Sequence, residues 1–373
     1  MLSSLPDPVD AAVVRRVLVT KLRHHGDVLL ASPVFTVLKR AVPAAEIDAL
    51  IYRDTAAMLE GHPAIAQIHT IDRDWKRQGL LAQARAERSL LGALRARRYD
   101  LIVHLTEHPR GAWLTRLLKP RYSVARHLER AHRLWRTSFT HYYRLPRTTP
   151  RHTVECNLDA LRRIGFQPAP EDKRLVLRPA ETTVARVRAL LSRHGLEPRR
   201  FIQMHPGSRW LFKCWPAERY AALLDRLAVD GVRVVLTGAP DPRERGLVDA
   251  ILAASASPTR AQLVDLTGAL DLRELAALTR EARAFIGVDS APMHIAAAMG
   301  TPVVALFGPS GDLEWGPWGV ANRVVTSVEH PCRPCGNDGC GGGKISECLT
   351  TLPVERVHAA FLSLLAETDG HVR

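Results

Sequence analysis

Short apolar runs alternate with longer amphipathic stretches along most of this chain. Residues 17–22 (VLVTKL) have the near-continuous apolar character of a strand covered on both faces, and residues 28–40 read as the helix that follows, with Pro33 near its first turn. Residues 46–52 (EIDALIY), 68–71 and 100–105 (DLIVHL) continue the strand series, with a helical stretch over 80–98. A second series opens with 201–205 (FIQMH) and 232–237 (VRVVLT) around a helix at 216–230. It continues through 263–266, 284–288 (AFIGV) and 302–307 (PVVALF). Strands separated by helices predict a parallel sheet, and two such series predict an α/β chain with two Rossmann-like halves. The boundary is expected at 178–183, after a strand-like 174–177, which gives domains of 1–180 and 181–352. A last helix over 353–367, in the remaining 353–373, is expected to pack back on the first half.

Length and composition agree with two domains: 373 residues, 46% of them apolar, suffice for two cores. No run of about eighteen apolar residues predicts a membrane span. The opening MLSSLPDPVDAAVVRR lacks a basic start followed by an apolar stretch, so no signal peptide is expected and a cytoplasmic location is. Charge changes the picture more. The chain carries 52 Lys and Arg against 38 Asp and Glu, a net +14 that favours phosphorylated substrates, acidic lipid surfaces or nucleic acid. Between Arg110 and His152 stand eleven Arg and Lys and a single acid, Glu129. That segment is either a surface for anions or a solvated basic face. An aromatic content of 6% and the lack of a nucleic-acid-binding motif argue against nucleic acid.

Four stretches could carry chemistry. His24-His25-Gly26-Asp27 directly follows the first strand, where open α/β sheets bind ligands. Asp27 there is either a general base facing the crevice or a helix cap. His205-Pro206-Gly207-Ser208-Arg209, with Lys213 close behind, follows the first strand of the second half. Gly207 and Ser208 can offer N–H groups and a hydroxyl to a phosphate and Lys213 a compact charge, or the stretch is an ordinary loop with a surface lysine. It is neither a Walker loop nor GxGxxG. In residues 285–299 (FIGVDSAPMHIAAAM) a strand runs into Asp289, Ser290 and Ala291, and Pro292 suits a first helical turn. The free N–H groups of that turn suit a diphosphate, and Asp289, which would repel one, suits sugar or ribose hydroxyls unless it is a plain cap. His294 is one turn in, either as a donor to ligand or as a core histidine. Last, Cys332, Cys335, Cys340 and Cys348 have the density of a structural zinc site, although only the first Cys-x-x-Cys has standard spacing; the alternative is a metal-free Gly-rich loop. Trp315 and Trp318 are read as loop packing.

The order and spacing of these stretches carry more than any one of them. VLVTKLRHHGDVLLASPVFTVLKRAVPAAEIDALIY resembles the opening of the ADP-heptose:lipopolysaccharide heptosyltransferases, glycosyltransferase family 9, and HGD followed by LLASPV is most like the heptosyltransferase III branch. HPGSRWLFKCWP is similar to the family's phosphate-binding loop, and FIGVDSAPMHIAAAMGTPVVALFGPS to its most specific block. The resemblance spans about residues 16–352. It implies a GT-B fold, two Rossmann-like domains facing each other across a cleft. It implies inverting transfer of heptose from ADP-heptose to the inner core of lipopolysaccharide, at the inner face of the inner membrane, with no cofactor for catalysis.

The family's catalytic aspartate falls on Asp27, its phosphate-contacting lysine on Lys213, its donor-binding aspartate on Asp289 with the Ser290 and Ala291 backbone at the diphosphate, and its helix histidine on His294. Gly207 stands where many members carry Thr, and Leu270 aligns loosely with the adenine pocket. The basic segment from Arg110 suits the acidic groups of lipopolysaccharide and an acidic membrane surface. The alternatives are a family 9 transferase for another nucleotide sugar or acceptor and, more distantly, a non-catalytic basic nucleic-acid-binding protein.

Overall fold

A computed structural model describes residues 7–146 and 149–370. Residues 1–6 of the opening read for a signal peptide, Arg147 of the basic segment and residues 371–373 of the last domain lie outside the described residues. The chain forms two compact units that divide between Arg178 and Pro179.

In the first unit β1 (Arg16–Thr20), β2 (Glu46–Tyr52), β3 (Gln67–Ile71), β4 (Leu101–His104), β5 (Tyr122–Arg126) and β6 (His141–Tyr143) form one parallel sheet in the order β3-β2-β1-β4-β5-β6. In the second, β7 (Phe201–His205), β8 (Arg233–Leu236), β9 (Leu263–Asp265), β10 (Ala284–Val288), β11 (Val303–Phe307) and β12 (Asn322–Thr326) are ordered β12-β11-β10-β7-β8-β9. Counted within its own unit, the second sheet repeats the order of the first, so both have the doubly wound Rossmann topology. In each, the winding reverses beside the opening strand, between β1 and β4 and between β7 and β10.

Helices cover both faces, which is why the central strands read as unbroken apolar runs. Every residue of β4, β7, β10 and β11 is buried. Leu18, Leu50 and Ile102 of the first sheet pack with Leu94 and Leu114 from two helices. In the second unit Ile286 and Leu306 pack with Trp215, Tyr220 and Phe361. Each such buried side chain contributes roughly 1.5–3 kcal/mol.

Three expectations change. The helix read over 28–40 is two helices, His25–Leu29 and Ser32–Ala41. Pro33 lies in the opening turn of the second, the only part of a helix that tolerates its missing N–H, so the chain restarts there. Residues 174–177 form no strand; the Val176 N–H donates to Ser32 Oγ at 3.0 Å instead of to a sheet neighbour. The last helix, Val354–Gly370, places Val357, Phe361 and Leu364 in the core of the second unit, in place of the expected packing on the first half. Strands β5, β6 and β12 were not anticipated. The first carries Ser and Arg within YSVAR, the second has three residues, and only Val325 of β12 is buried, so none shows a buried-strand run.

Two buried polar groups in the first unit have opposite electrostatics. Asp48, fully buried in β2, receives hydrogen bonds from Arg97 (2.6 and 3.0 Å) and the Tyr99 hydroxyl (2.7 Å), with His69 beside it. Burial works to raise this carboxyl, but the bonds from His69, Arg97 and Tyr99 outweigh it and hold the group below its usual range. His62 has no such partner. Its Nε2 donates to the Ser32 carbonyl and Nδ1 accepts the Ala64 N–H, and burial pushes it down to about 4 against an ordinary 6.5.

Because the unfolded chain takes up the His62 proton first, this group stabilises the fold above pH 6.5, and that stability is lost as pH falls toward 4. The loss should reach about 3 kcal/mol at most. His62→Leu should flatten the pH dependence of the unfolding free energy in that window, measured by denaturant titration. An unchanged slope would show that other groups set it.

Candidate functional site

Both reversal points gather the residues singled out in the sequence. In the first unit β1 ends at Thr20, and the chain passes through Lys21 and His24 into helix His25–Leu29. Asp27 is the third residue of that helix. The capping position belongs to His24, whose side chain makes no capping bond, so Asp27 is not a cap. Its side chain is 13% exposed and lies 3.5 Å from Arg23 Nε. Beneath it is a residue that the sequence reading passed over. Lys21 is buried, with Nζ donating to the Leu105 carbonyl (3.3 Å) and Asn157 Oδ1 (3.0 Å). Burial pushes its ammonium down to about 8, and the Asp27 carboxylate opposes the drop. The signal was a lysine inside an apolar strand run.

In the second unit β7 runs directly into Pro206, Gly207 and Ser208, all buried. A short 3-10 turn, Leu211–Lys213, then brings Lys213 back, and β10 ends one residue before Asp289. Lys213 Nζ donates to Asp289 Oδ2 at 2.6 Å, with the two side chains 24% and 9% exposed. The pair answers the objection that an aspartate here would repel a phosphate, since its charge is balanced before any ligand arrives. Asp289 is not a cap: Ser290 occupies that place before helix Ala291–Ala298, and Pro292 sits in the first turn. Ser290 makes no side-chain capping bond, and its buried Oγ has no hydrogen-bond partner among the described residues. A buried hydroxyl left unbonded at a helix start is an arrangement that an anionic oxygen would complete.

Other expected residues are placed less decisively. Ala291 is half-buried in the first helical turn. His294 is 3% exposed, as for a core histidine. Leu270 is half-buried against the core of Val235, Leu266 and Leu278. Trp315 packs on the Phe285–Phe307 cluster, in line with its reading as packing. Cys332, Cys335 and Cys340 are exposed and Cys348 is buried, all as free thiols. Among the described residues no three His, Cys, Asp or Glu side chains are gathered so as to hold a metal. The chain also contains one Asp-x-Asp, Asp72-Arg73-Asp74, the pattern that holds a metal in many sugar transferases. Here Asp72 caps a turn by accepting the Asp74 N–H (2.9 Å), and the two acids pair with Arg53 and Arg77.

Glu244 was also missed. It is 7% exposed, accepts the Ala239 N–H at 2.8 Å and lies 3.5 Å from His205 Nε2, while His205 Nδ1 is 3.0 Å from Thr237 Oγ1. Its carboxylate fills the space beside Gly207 that a side chain there would need. That gives a physical reason for a glycine at this position.

Two Rossmann-like units, each with its polar residues at the reversal point, define the architecture of the GT-B glycosyltransferases. Residues 87–345 match the model of glycosyltransferase family 9 (heptosyltransferase). The lipopolysaccharide heptosyltransferase 3 of Escherichia coli (strain K12) is 36% identical over 80% of this chain and 83% of its own length. A crystal structure of a glycosyl transferase family 9 protein from Veillonella parvula superposes with a TM-score of 0.79, at 26% identity over 95% of this chain and 97% of that one. The structure of the E. coli ADP-heptose lps heptosyltransferase II gives 0.74, at 22% identity over 95% and 99%. This chain belongs to glycosyltransferase family 9.

Gly207→Ala should destabilise the second unit by about 1–3 kcal/mol, because the new Cβ would lie 2.5 Å from Glu244 Oε2 and 2.7 Å from its Cδ. Glu244 cannot withdraw without giving up the Ala239 N–H. In a Glu244→Ala background most of that cost should vanish, read from thermal unfolding of the four variants of the cycle. Equal costs in both backgrounds would mean that Glu244 does not dictate the glycine.

Proposed function

We propose that this chain is an inverting transferase that moves L-glycero-D-manno-heptose from ADP-heptose to the inner core of lipopolysaccharide, as a heptosyltransferase III does. The observation that carries the reading is the Lys213–Asp289 pair beside the unbonded Ser290 hydroxyl, at the reversal point of the second unit. That constellation suits a nucleotide diphosphate sugar: Lys213, the Ser290 hydroxyl and the Ser290 and Ala291 backbone for the phosphates, Asp289 for sugar or ribose hydroxyls. Gly207 and Ser208 let the backbone approach the same phosphates, with Leu270 toward the adenine and His294 as a further donor. Membership of family 9, and 36% identity to a lipopolysaccharide heptosyltransferase 3, support the choice of donor and acceptor.

The first unit takes the acceptor. Asp27 is the base: its carboxylate accepts the proton as the acceptor hydroxyl oxygen bonds to the anomeric carbon of heptose. The bond from that carbon to the β-phosphate breaks, and its electron pair leaves on ADP. Lys213 and the helix N-terminus are preorganised for the charge that develops there, an effect typically worth about a hundredfold or more in rate per contact. Arg23 Nε lies 3.5 Å from the Asp27 carboxylate, and the buried Lys21 ammonium is a second positive charge that it faces. Among the described residues no helix is long and apolar enough to cross a membrane. The enzyme is proposed to work in the cytoplasm, at the inner face of the inner membrane, where a lipid-anchored acceptor is reached from the side.

Asp27→Ala should lower transfer by a hundredfold or more while leaving ADP binding intact. Lys213→Ala should weaken binding of ADP-heptose measured by calorimetry. Normal turnover of the first variant would refute the base, and unchanged donor affinity of the second would refute the phosphate contact.

A further inference from the structure

Helix Arg110–Leu118 follows β4 in the first unit. Its inner side is apolar: Ala112 packs with Trp135 and Phe139, while Leu114 and Leu118 pack with Leu90 and Leu94. The outer side is also apolar. Trp113 and Leu117, one turn apart, are 56% and 43% exposed. Single exposed apolar residues are ordinary, and this pair differs in its company. Arg116 and Lys119 on the same helix are exposed. Arg116 Nε donates to Ser138 Oγ (2.8 Å) and Nη2 to Thr137 Oγ1 (2.6 Å), which ties the helix to the neighbouring short helix Arg133–Arg136. Both arginines of that short helix are exposed as well. The single acid from Arg110 to His152 is Glu129. An exposed Trp and Leu are thus set among cations on one firmly braced helix.

We propose that this face is a docking surface for a bilayer rich in anionic lipid, with Trp113 and Leu117 entering the headgroup region while Arg116, Lys119, Arg133 and Arg136 meet lipid phosphates. The proposal deepens the functional reading and rests on it in one respect, that the acceptor is anchored in a membrane. Tryptophan is suited to the boundary because its ring is apolar and its N–H is polar. Apolar insertion alone or charge alone binds weakly, and their combination on one face makes a peripheral anchor. The charges pick out acidic membranes; the apolar pair separates a membrane partner from a nucleic acid, which would use the cations and leave Leu117 idle. Helix Arg110–Leu118 also starts at the C-terminal edge of the first sheet, the edge that carries Asp27. From there it runs back along the sheet toward Tyr122, where β5 begins.

The test is co-sedimentation of the full chain with phosphatidylcholine vesicles, with and without phosphatidylglycerol. The chain should bind only the anionic vesicles, more weakly as salt is raised. Trp113→Ala/Leu117→Ala should lower vesicle affinity about tenfold, and each of Lys119→Gln, Arg133→Gln and Arg136→Gln about fivefold. Should the double variant fold poorly, Trp113→Phe keeps the test open: brominated lipid should quench the fluorescence of the parent chain more than that of this variant. Transfer to core oligosaccharide freed of lipid should be unchanged in Trp113→Ala/Leu117→Ala. Parent-like vesicle binding by that variant would overturn the proposal. So would loss of transfer to the lipid-free acceptor, which would place the pair in the sugar site, or displacement of vesicles by short nucleic acids. Failure of the parent chain to transfer heptose while vesicle binding follows these expectations would count against the functional reading alone.

Discussion

The second unit is organised around one ion pair. Lys213 and Asp289 come from loops after two neighbouring strands, β7 and β10, and meet at 2.6 Å with the carboxylate almost out of solvent. Withdrawing two such groups from water costs several kcal/mol per ion, which their attraction only partly returns, so stability is a poor reason to keep them. Chemistry is a better one. Unpaired, Asp289 would place a negative charge at the proposed diphosphate site; paired, its charge is balanced by Lys213. The lysine side chain is still 24% exposed, so an arriving phosphate can share it without unburying anything.

Much of the C-terminal segment braces this pair. The Ser346 hydroxyl donates to the Phe212 carbonyl at 2.6 Å, one residue before Lys213. Trp215, two residues after it, is fully buried and donates to the Leu352 carbonyl. Arg333 Nε donates to the Gly308 carbonyl at the end of β11, and the Gly336 N–H to that of Pro309. The cysteine-rich stretch therefore has a structural role: it closes over the loop that carries Lys213. One of its glycines, Gly339, follows from the same closeness. A Cβ on Gly339 would lie 2.4 Å from the Ile345 nitrogen, and its φ of +89° is one that other residues rarely adopt.

What could be read from the sequence was set by the local nature of the signal. Buried central strands announce themselves because both faces are covered, and β2, β7 and β10 fall on the residues expected. Strands β5 and β6 do not, since β5 carries a polar Ser123 in its buried run between half-exposed Tyr122 and Arg126, and β6 is a three-residue edge strand. Pro33 was visible, but where it restarts a helix was not, because that depends on how tightly the chain must turn after Asp27. At the site, the types at 213 and 289 pointed to phosphate and hydroxyl chemistry, yet nothing local said that the two side chains touch. Glu244 was illegible for the same reason: it lies thirty-seven residues beyond Gly207 and acts on it only through space. Lys21 is the counterexample, a local anomaly that could have been read, since a lysine in an apolar strand run must either be paired or serve a neighbour.

The net charge is easily over-read without the structure. Many of the arginines behind the +14 are tied up inside the fold: Arg97 on Asp48, Arg110 on Glu87, Arg151 and Arg162 on Asp159. Such pairs build the units and offer little to a partner. A charge total therefore cannot choose between a solvated face and a binding surface; the choice turns on which cations are left outward and on what stands between them. Helix Arg110–Leu118 carries an exposed Trp and Leu together with outward cations, and a purely solvating face would have no use for either. The apolar residues are what decide in favour of a surface with a partner.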